Sequence, residues 1–136
     1  MGERVKGVQA DALRAFSALF AVRENWGGAL VLNVGLGPTG AAISIAASIA
    51  GAACLSFEAD GARAREALRS GACDFVVNTL DEALRVLKNE VRRKRPVSVG
   101  LEGGVDANLE EMIERGVAPE LVAGLHGRAG AEESFR

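Results

Sequence analysis

Three glycines and one carboxylate have the types and the spacing needed to hold a nucleotide. Gly35, Gly37 and Gly40 stand at the G-x-G-x-x-G spacing of a dinucleotide-binding turn. In such a turn the first glycine allows a tight bend, the second lets the backbone approach a pyrophosphate, and the third lets the next helix pack closely. Glu58 follows 18 residues after Gly40, where an acidic side chain can accept hydrogen bonds from an adenosine ribose. The pattern predicts a binding site for a dinucleotide.

The residues around this turn predict the strand and the helix that would position it. Residues 29–34 are almost wholly apolar, as in a strand that is covered on both faces. The run of small and apolar residues 39–50 ends at Gly51, which is typical of a helix C-terminus. The amide groups that open this helix would face the phosphates. A second apolar strand, 53–58, ends at Glu58 and completes a β-α-β unit.

Strands and helices go on alternating along the chain. We expect further strands at 75–77, 97–99 and 120–122, and helices at 62–70, 80–91 and 107–115. This alternation predicts an α/β fold, a doubly wound parallel Rossmann-like sheet in a single domain over residues 1–136. With the glycine turn at the switch point, the predicted strand order is 3-2-1-4-5. The Gly35 turn and the Gly103–Gly104 loop would then flank one crevice.

The two ends of the chain give weaker patterns. From Val8 to about Glu24 the pattern is helical, with Leu13, Phe16 and Phe20 on one apolar face. Residues 1–7 and about 124–136 are rich in glycine, alanine and charge, and we expect them to be loosely held.

Composition excludes several classes of function. The chain has 136 residues, a net charge of −2 and no tyrosine, so nothing favours nucleic acid or an anionic membrane as a partner. No segment resembles a signal peptide or a membrane span, which predicts a cytoplasmic protein. Cys54 and Cys73 lack the spacing of metal ligands, and we expect both to be buried, inert thiols. The basic run 92–95 is typical of the solvated C-terminal end of a helix, and we favour this interpretation over an anion-binding patch.

Several collinear motifs together resemble the central nucleotide-binding domain of urocanase (urocanate hydratase), a lyase of histidine metabolism. They are Gly35-Leu36-Gly37 through Gly51, Cys54-Leu55 with Glu58 and Asp60, Leu80 to Leu84, Ser98 to Leu101 with Gly103, and Arg115 to Val117 with Pro119. Urocanase uses bound NAD⁺ as an electrophile during the addition of water to urocanate. The resemblance therefore implies NAD as the cofactor, held by the glycine turn with Thr39, by Glu58 and Arg63, and by the Gly103–Gly104 loop.

The chain also departs from the urocanase pattern. The family has Gly-Gly-Met-Gly where this chain has residues 37–40, Gly-Pro-Thr-Gly, and it has Gly-Asn-Ala where this chain has residues 103–105. After the last strand the family's Asp-Gln-Thr-Ser-Ala-His is replaced entirely, and His126 is out of register with the family's histidine. Neither cysteine matches the catalytic cysteine of the flanking urocanase domain. We expect no catalytic residue and no metal site in this chain.

These observations leave three hypotheses open. The first is an NAD- or adenine-nucleotide-binding module that lacks hydratase chemistry of its own. The second is a subunit or fragment of a urocanate hydratase-like enzyme that another chain completes. The third is a structural or interaction domain without a ligand. We also expect a homo-oligomer or a partner chain, because the apolar face of the first helix exceeds what a small domain can cover.

Overall fold

The computed structural model describes residues 13–14, 17–18 and 24–124. Residues 13–14 and 17–18 are helical, within the helix that the sequence predicts. The rest of that helix up to residue 23, including Phe16 and Phe20, lies outside the described residues. The terminal segments 1–7 and 125–136 also lie outside them, and with them His126.

Nine strands and helices alternate over residues 30–123. The strands are β1 (Leu30–Val34), β2 (Ala53–Glu58), β3 (Phe75–Val77), β4 (Val97–Glu102) and β5 (Leu121–Ala123), and the helices are α1 (Pro38–Ala50), α2 (Gly61–Ser70), α3 (Leu80–Arg92) and α4 (Val105–Glu114). Their ends follow from local chemistry: Gly51 and Gly71 close α1 and α2 in the left-handed conformation, and the Thr79 hydroxyl caps α3. All strand pairs are parallel. The predicted α/β, parallel, Rossmann-like architecture is confirmed.

The predicted strand order is wrong. The sheet runs β3-β4-β2-β1-β5, whereas the sequence predicted 3-2-1-4-5. β4 pairs with β2 over six residues and has no pairing with β1, whose second neighbour is β5. The central strand is therefore β2, all six residues of which are buried.

Small side chains on one face explain why β4 lies beside β2. Helix α1 covers β1, β2 and β4, and Ser48 Oγ on the helix lies 2.6 Å from Ser98 Oγ on β4. Further along β4, a Cβ at Gly100 would stand only 3.3 to 3.4 Å from the side chains of Leu36, Cys73 and Val76. Only a strand with very small residues on this face leaves room for the elements packed there.

The helices divide between the two faces of the sheet. The chain moves in one direction from β1 to β2 and on to β3, and it moves back from β3 to β4 and on to β5. Right-handed crossovers therefore place α1 and α2 on one face and α3 and α4 on the other. The packing of the core agrees with this division of the helices. Val31 and Cys54 pack with the alanines of α1 on one face of the sheet. Leu32, Leu55 and Val99 pack with the leucines of α3 and with Met112 of α4 on the other face. No helix in the described part of the chain is long and apolar enough to cross a membrane.

Candidate functional site

The glycine turn follows β1 at the carboxyl edge of the sheet, and two of its glycines are required by the fold itself. Gly35 has φ +97°, a conformation that residues with a side chain rarely adopt. A Cβ at Gly40 would overlap the carbonyl oxygen of Gly35. The turn and the first turn of α1 are thus in direct backbone contact, as the predicted roles of the first and third glycines require.

Gly37 is different, because nothing in the described protein requires a glycine there. Its φ of −65° and ψ of −174° suit any residue, and a Cβ would have no atom within 4 Å. Gly37 is the N-cap of α1, which has no side-chain cap and no acidic residue in its first turn. A small open space therefore lies directly at the positive end of this helix.

Several hydrogen-bond donors border this open space. The N–H groups of Gly37, Thr39 and Gly40 have no acceptor among the described residues, whereas Pro38 has no N–H to offer. The side chain of Thr39 is exposed beside them. Three backbone donors and one hydroxyl group are thus available to an anion at this point.

Asn33 supports the turn through its buried side chain, a role that was not predicted from the sequence. Its side chain is fully buried on the α1 face of β1, and Nδ2 donates to the carbonyl oxygens of Gly40 at 2.9 Å and Gly35 at 3.3 Å. Ser56 Oγ on β2 lies 3.1 Å from the same nitrogen. The signal was present in the sequence, since Asn33 is the one strongly polar residue in an otherwise apolar strand.

Glu58 connects the glycine turn to the neighbouring loops. The residue is 5% exposed; Oε1 accepts from the Leu36 N–H at 2.8 Å, and Oε2 accepts from the Asp60 N–H at 2.9 Å. Its main-chain carbonyl accepts from the Gly103 N–H at 3.0 Å. The carboxylate predicted to meet a ribose therefore already braces the turn through two backbone amides.

The Gly103–Gly104 loop lies beside β2, and the prediction that it directly flanks the glycine turn must be corrected. β2 separates the two loops, because β4 pairs with β2 and not with β1. Two strand spacings amount to about 9 to 10 Å. Gly103 has φ +150°, whereas Gly104 has φ −63°, is exposed and has no side-chain cap to offer α4. Gly104 is thus a second place where the backbone is open.

On its other side, the glycine turn borders the end of β5. Gly124 has φ +79°, and a Cβ there would overlap the carbonyl oxygen of Val34, the last residue of β1. The residues that follow Gly124 lie outside the described part of the chain. The strand order therefore brings the end of β5, and not the end of β4, against the turn.

The remaining predicted site residue, Arg63, is exposed in the first turn of α2, after the N-cap Asp60. Asp60 itself accepts the Ala62 N–H at 2.9 Å, so its side chain caps that helix. Among the described residues, no three His, Cys, Asp or Glu side chains are grouped so that they could hold a metal ion. A groove of about 540 Å³ between α3 and the amino ends of β3 and β4 contains none of the predicted site residues.

The two cysteines are buried and unsuited to nucleophilic chemistry. Burial raises the pKa of the Cys54 thiol to about 11, against weaker opposing hydrogen bonds from Ser56 and Ser44. Burial, with a smaller contribution from Cys54, raises the pKa of Cys73 to about 12. Both thiols therefore stay protonated at neutral pH, when a thiolate would be the reactive form.

A parallel Rossmann-like sheet with a glycine turn after β1 and a carboxylate at the end of β2 agrees with the comparison with known families. A family model described as the urocanase Rossmann-like domain matches residues 5–126. That match covers most of the chain, and it includes every residue of the site described above. This chain belongs to the urocanase Rossmann-like domain family.

Proposed function

We propose that this domain binds NAD or another adenine dinucleotide at the carboxyl edge of β1 and β2, without hydratase chemistry of its own. The observation that carries the proposal is the open backbone at Gly37. Glycine is needed at positions 35 and 40 by the chain's own geometry, but at position 37 only a ligand would need the missing side chain. A pyrophosphate is the group that this kind of turn accommodates.

The pyrophosphate would lie over Gly37 at the N-terminus of α1. The free N–H groups of Gly37, Thr39 and Gly40 and the Thr39 hydroxyl would donate to it. Pro38 offers no N–H, so these donors form the whole backbone set at this end of the helix. The dipole of a helix of 13 residues adds a partial positive charge at the same place.

The adenosine would lie toward β2 and the Gly103–Gly104 loop. Each oxygen of Glu58 accepts one N–H from the protein, and each retains a second lone pair that a ribose hydroxyl could use. The charge of Glu58 opposes a 2′-phosphate, which favours NAD over NADP. At the exposed Gly104 the adenosine could approach the backbone closely, because no side chain covers it. Arg63 is exposed at the start of α2 and could bind a phosphate or ribose oxygen.

Two observations support a binding role without hydration of urocanate. Both cysteines are protonated and buried. The segment from Gly124 differs at every position from the family's nicotinamide-side loop, although the end of β5 lies against the turn. The contacts that we assign therefore hold the ADP half of NAD, and the nicotinamide half would gain few contacts to offset its ordering.

Isothermal titration of the protein with NAD, ADP-ribose, pyrophosphate and nicotinamide mononucleotide tests this proposal. We expect NAD and ADP-ribose to bind alike, with dissociation constants on the order of tens to hundreds of micromolar, roughly 5 to 6.5 kcal/mol. Nicotinamide mononucleotide should bind far more weakly. In ¹⁵N spectra the amides of Gly37, Thr39 and Gly40 should shift on titration. Absence of heat with all four ligands at millimolar concentration would refute binding, and loss of urocanate absorbance with the protein and NAD would refute the second half of the proposal.

A further inference from the structure

One peptide unit of the turn, between Gly35 and Leu36, is held from two sides. Its carbonyl oxygen accepts from Asn33 Nδ2 at 3.3 Å, and its N–H donates to Glu58 Oε1 at 2.8 Å. Because the C=O and N–H of a trans peptide point in opposite directions, these two contacts fix the orientation of the whole plane. Both side chains are buried, and they come from the adjacent strands β1 and β2.

The orientation of the Asn33 carboxamide follows from its surroundings. Two carbonyl oxygens, of Gly35 and Gly40, face its nitrogen, so a flipped amide would place Oδ1 against both and remove the hydrogen bonds that Nδ2 donates to them. In the observed orientation Oδ1 is buried without a hydrogen-bond partner among the described residues. The protein therefore tolerates one unsatisfied acceptor in order to hold two backbone carbonyls, and such a group needs an explanation.

We infer that Asn33 and Glu58 together form a clamp on the Gly35–Leu36 peptide, and that Asn33 is a positioning residue for the dinucleotide. The inference rests on the proposed function above. Gly35 is a glycine at positive φ, and without contacts its peptide could rotate. The clamp fixes the direction in which the chain enters Gly37, and with it the direction of the free N–H groups at residues 37, 39 and 40. Binding then needs little further ordering of the turn.

The carboxamide also joins the turn to the helix that follows it. Nδ2 bridges the carbonyl of Gly35, which precedes the proposed anion-binding residues, and the carbonyl of Gly40, the last of them. These two positions are already in van der Waals contact, so the bridge prevents the helix N-terminus from moving away from the strand. An apolar side chain at position 33 would leave both carbonyls without this donor.

The test compares Asn33→Leu with a matched control, Ser98→Ala. Both substitutions remove side-chain hydrogen bonds on the α1 face, but Ser98 bonds only Ser48 through its side chain and lies on β4, toward the opposite edge of the sheet. Titration with ADP-ribose and amide hydrogen exchange of Leu36 are measured on each folded variant. We expect Asn33→Leu to weaken ADP-ribose binding by about tenfold or more, equivalent to about 1.4 kcal/mol, and to speed Leu36 exchange. Ser98→Ala should leave both within about twofold of the unmodified protein.

Asn33→Asp provides a second variant if Asn33→Leu does not fold. At pH 8 a carboxylate would face the two carbonyl oxygens and repel them. Burial beside two carbonyl oxygens disfavours the charged form of this carboxyl group, so a growing fraction of it is protonated as the pH falls to 5. A protonated carboxyl group can donate one hydrogen bond, and the affinity deficit relative to the unmodified protein should therefore narrow as the pH falls. A purely structural loss of packing would not produce this narrowing.

The outcomes separate the clamp from the proposed function. ADP-ribose affinity in Asn33→Leu equal to that of the unmodified protein would overturn the clamp while leaving dinucleotide binding intact. If the unmodified protein itself binds no dinucleotide, the proposed function fails, and unchanged Leu36 exchange in Asn33→Leu would then overturn the clamp separately. Slower exchange or tighter binding in that variant would also overturn it.

Discussion

Replacing Gly37 by alanine should separate binding from folding. The added Cβ has no protein atom within 4 Å, and φ −65° suits alanine. Alanine is a poorer N-cap than glycine by about 0.5 to 1 kcal/mol, whereas the loss of backbone freedom in the unfolded chain stabilises by about 0.4 to 1 kcal/mol. The two effects oppose each other, so the free energy of unfolding should change by less than about 1 kcal/mol.

The same methyl group would occupy the space that we assign to the pyrophosphate. Affinity for ADP-ribose should therefore fall by at least about tenfold, or about 1.4 kcal/mol, and Gly37→Val should abolish binding altogether. Urea unfolding gives the stability and isothermal titration gives the affinity. Two other glycines provide controls in which the added methyl group should affect folding and not the ligand position. Gly40→Ala should fail to fold because its Cβ overlaps a backbone carbonyl, and Gly71→Ala, at φ +83° on the surface, should lose stability but keep its affinity.

One result would refute this reasoning directly. If Gly37→Val binds ADP-ribose as tightly as the unmodified protein, the ligand does not lie against Gly37, and the open backbone there has no binding role. A large loss of stability in Gly37→Ala would also contradict the argument, because it would show that the position is constrained by the protein after all.

Three further predictions concern other parts of the chain. Glu58→Ala should lower the free energy of unfolding by about 1.5 to 3 kcal/mol and weaken pyrophosphate as well as ADP-ribose; a loss confined to adenosine-containing ligands, at unchanged urea stability, would contradict its bracing role. Burial raises the pKa of Cys54 and Cys73 from 9.0 to about 11 and about 12. The contribution of these two protonated thiols to the free energy of unfolding should therefore be fully present below pH 9 and should be lost as the pH rises from 9 to 12. Thiol titration with a disulfide reagent at pH 8 should find no reactive group until denaturant is added. The apolar face that the sequence predicts for residues 8–24 should support self-association, and a monomer in analytical ultracentrifugation at high micromolar concentration would count against it.

Local patterns were sufficient to predict the elements but not their neighbours. Glycines at positions 51 and 71 and the Thr79 cap mark helix ends that depend only on nearby residues, and the structure has them at those places. The partner of β4 depends instead on which surface its side chains fit. Ser98 meets Ser48 on α1, about 50 positions away in the chain, and Gly100 leaves room for Leu36, Cys73 and Val76.

For the candidate site, the sequence likewise predicted the position of the turn but not the contacts that hold it. The glycine spacing located the turn, because that spacing reflects backbone requirements that the chain meets by itself at positions 35 and 40. The direction of the Glu58 carboxylate was not predictable, because it depends on amides contributed by the turn and by residue 60. The bridge from Asn33 was missed because an isolated polar residue in a strand does not reveal its partners.

Trp26 lies at the amino edge of the sheet, outside the glycine turn. Its side chain is 1% exposed and packs with Ala46, Ala47 and Cys54 beneath the last turns of α1. Because the chain has one tryptophan and no tyrosine, its ultraviolet emission comes essentially from this one indole. That emission reports whether α1 is packed on the sheet, without a contribution from tyrosine or from a second tryptophan. Trp26 and the proposed pyrophosphate position at Gly37 lie at opposite ends of α1, so a ligand bound as proposed would not contact the indole.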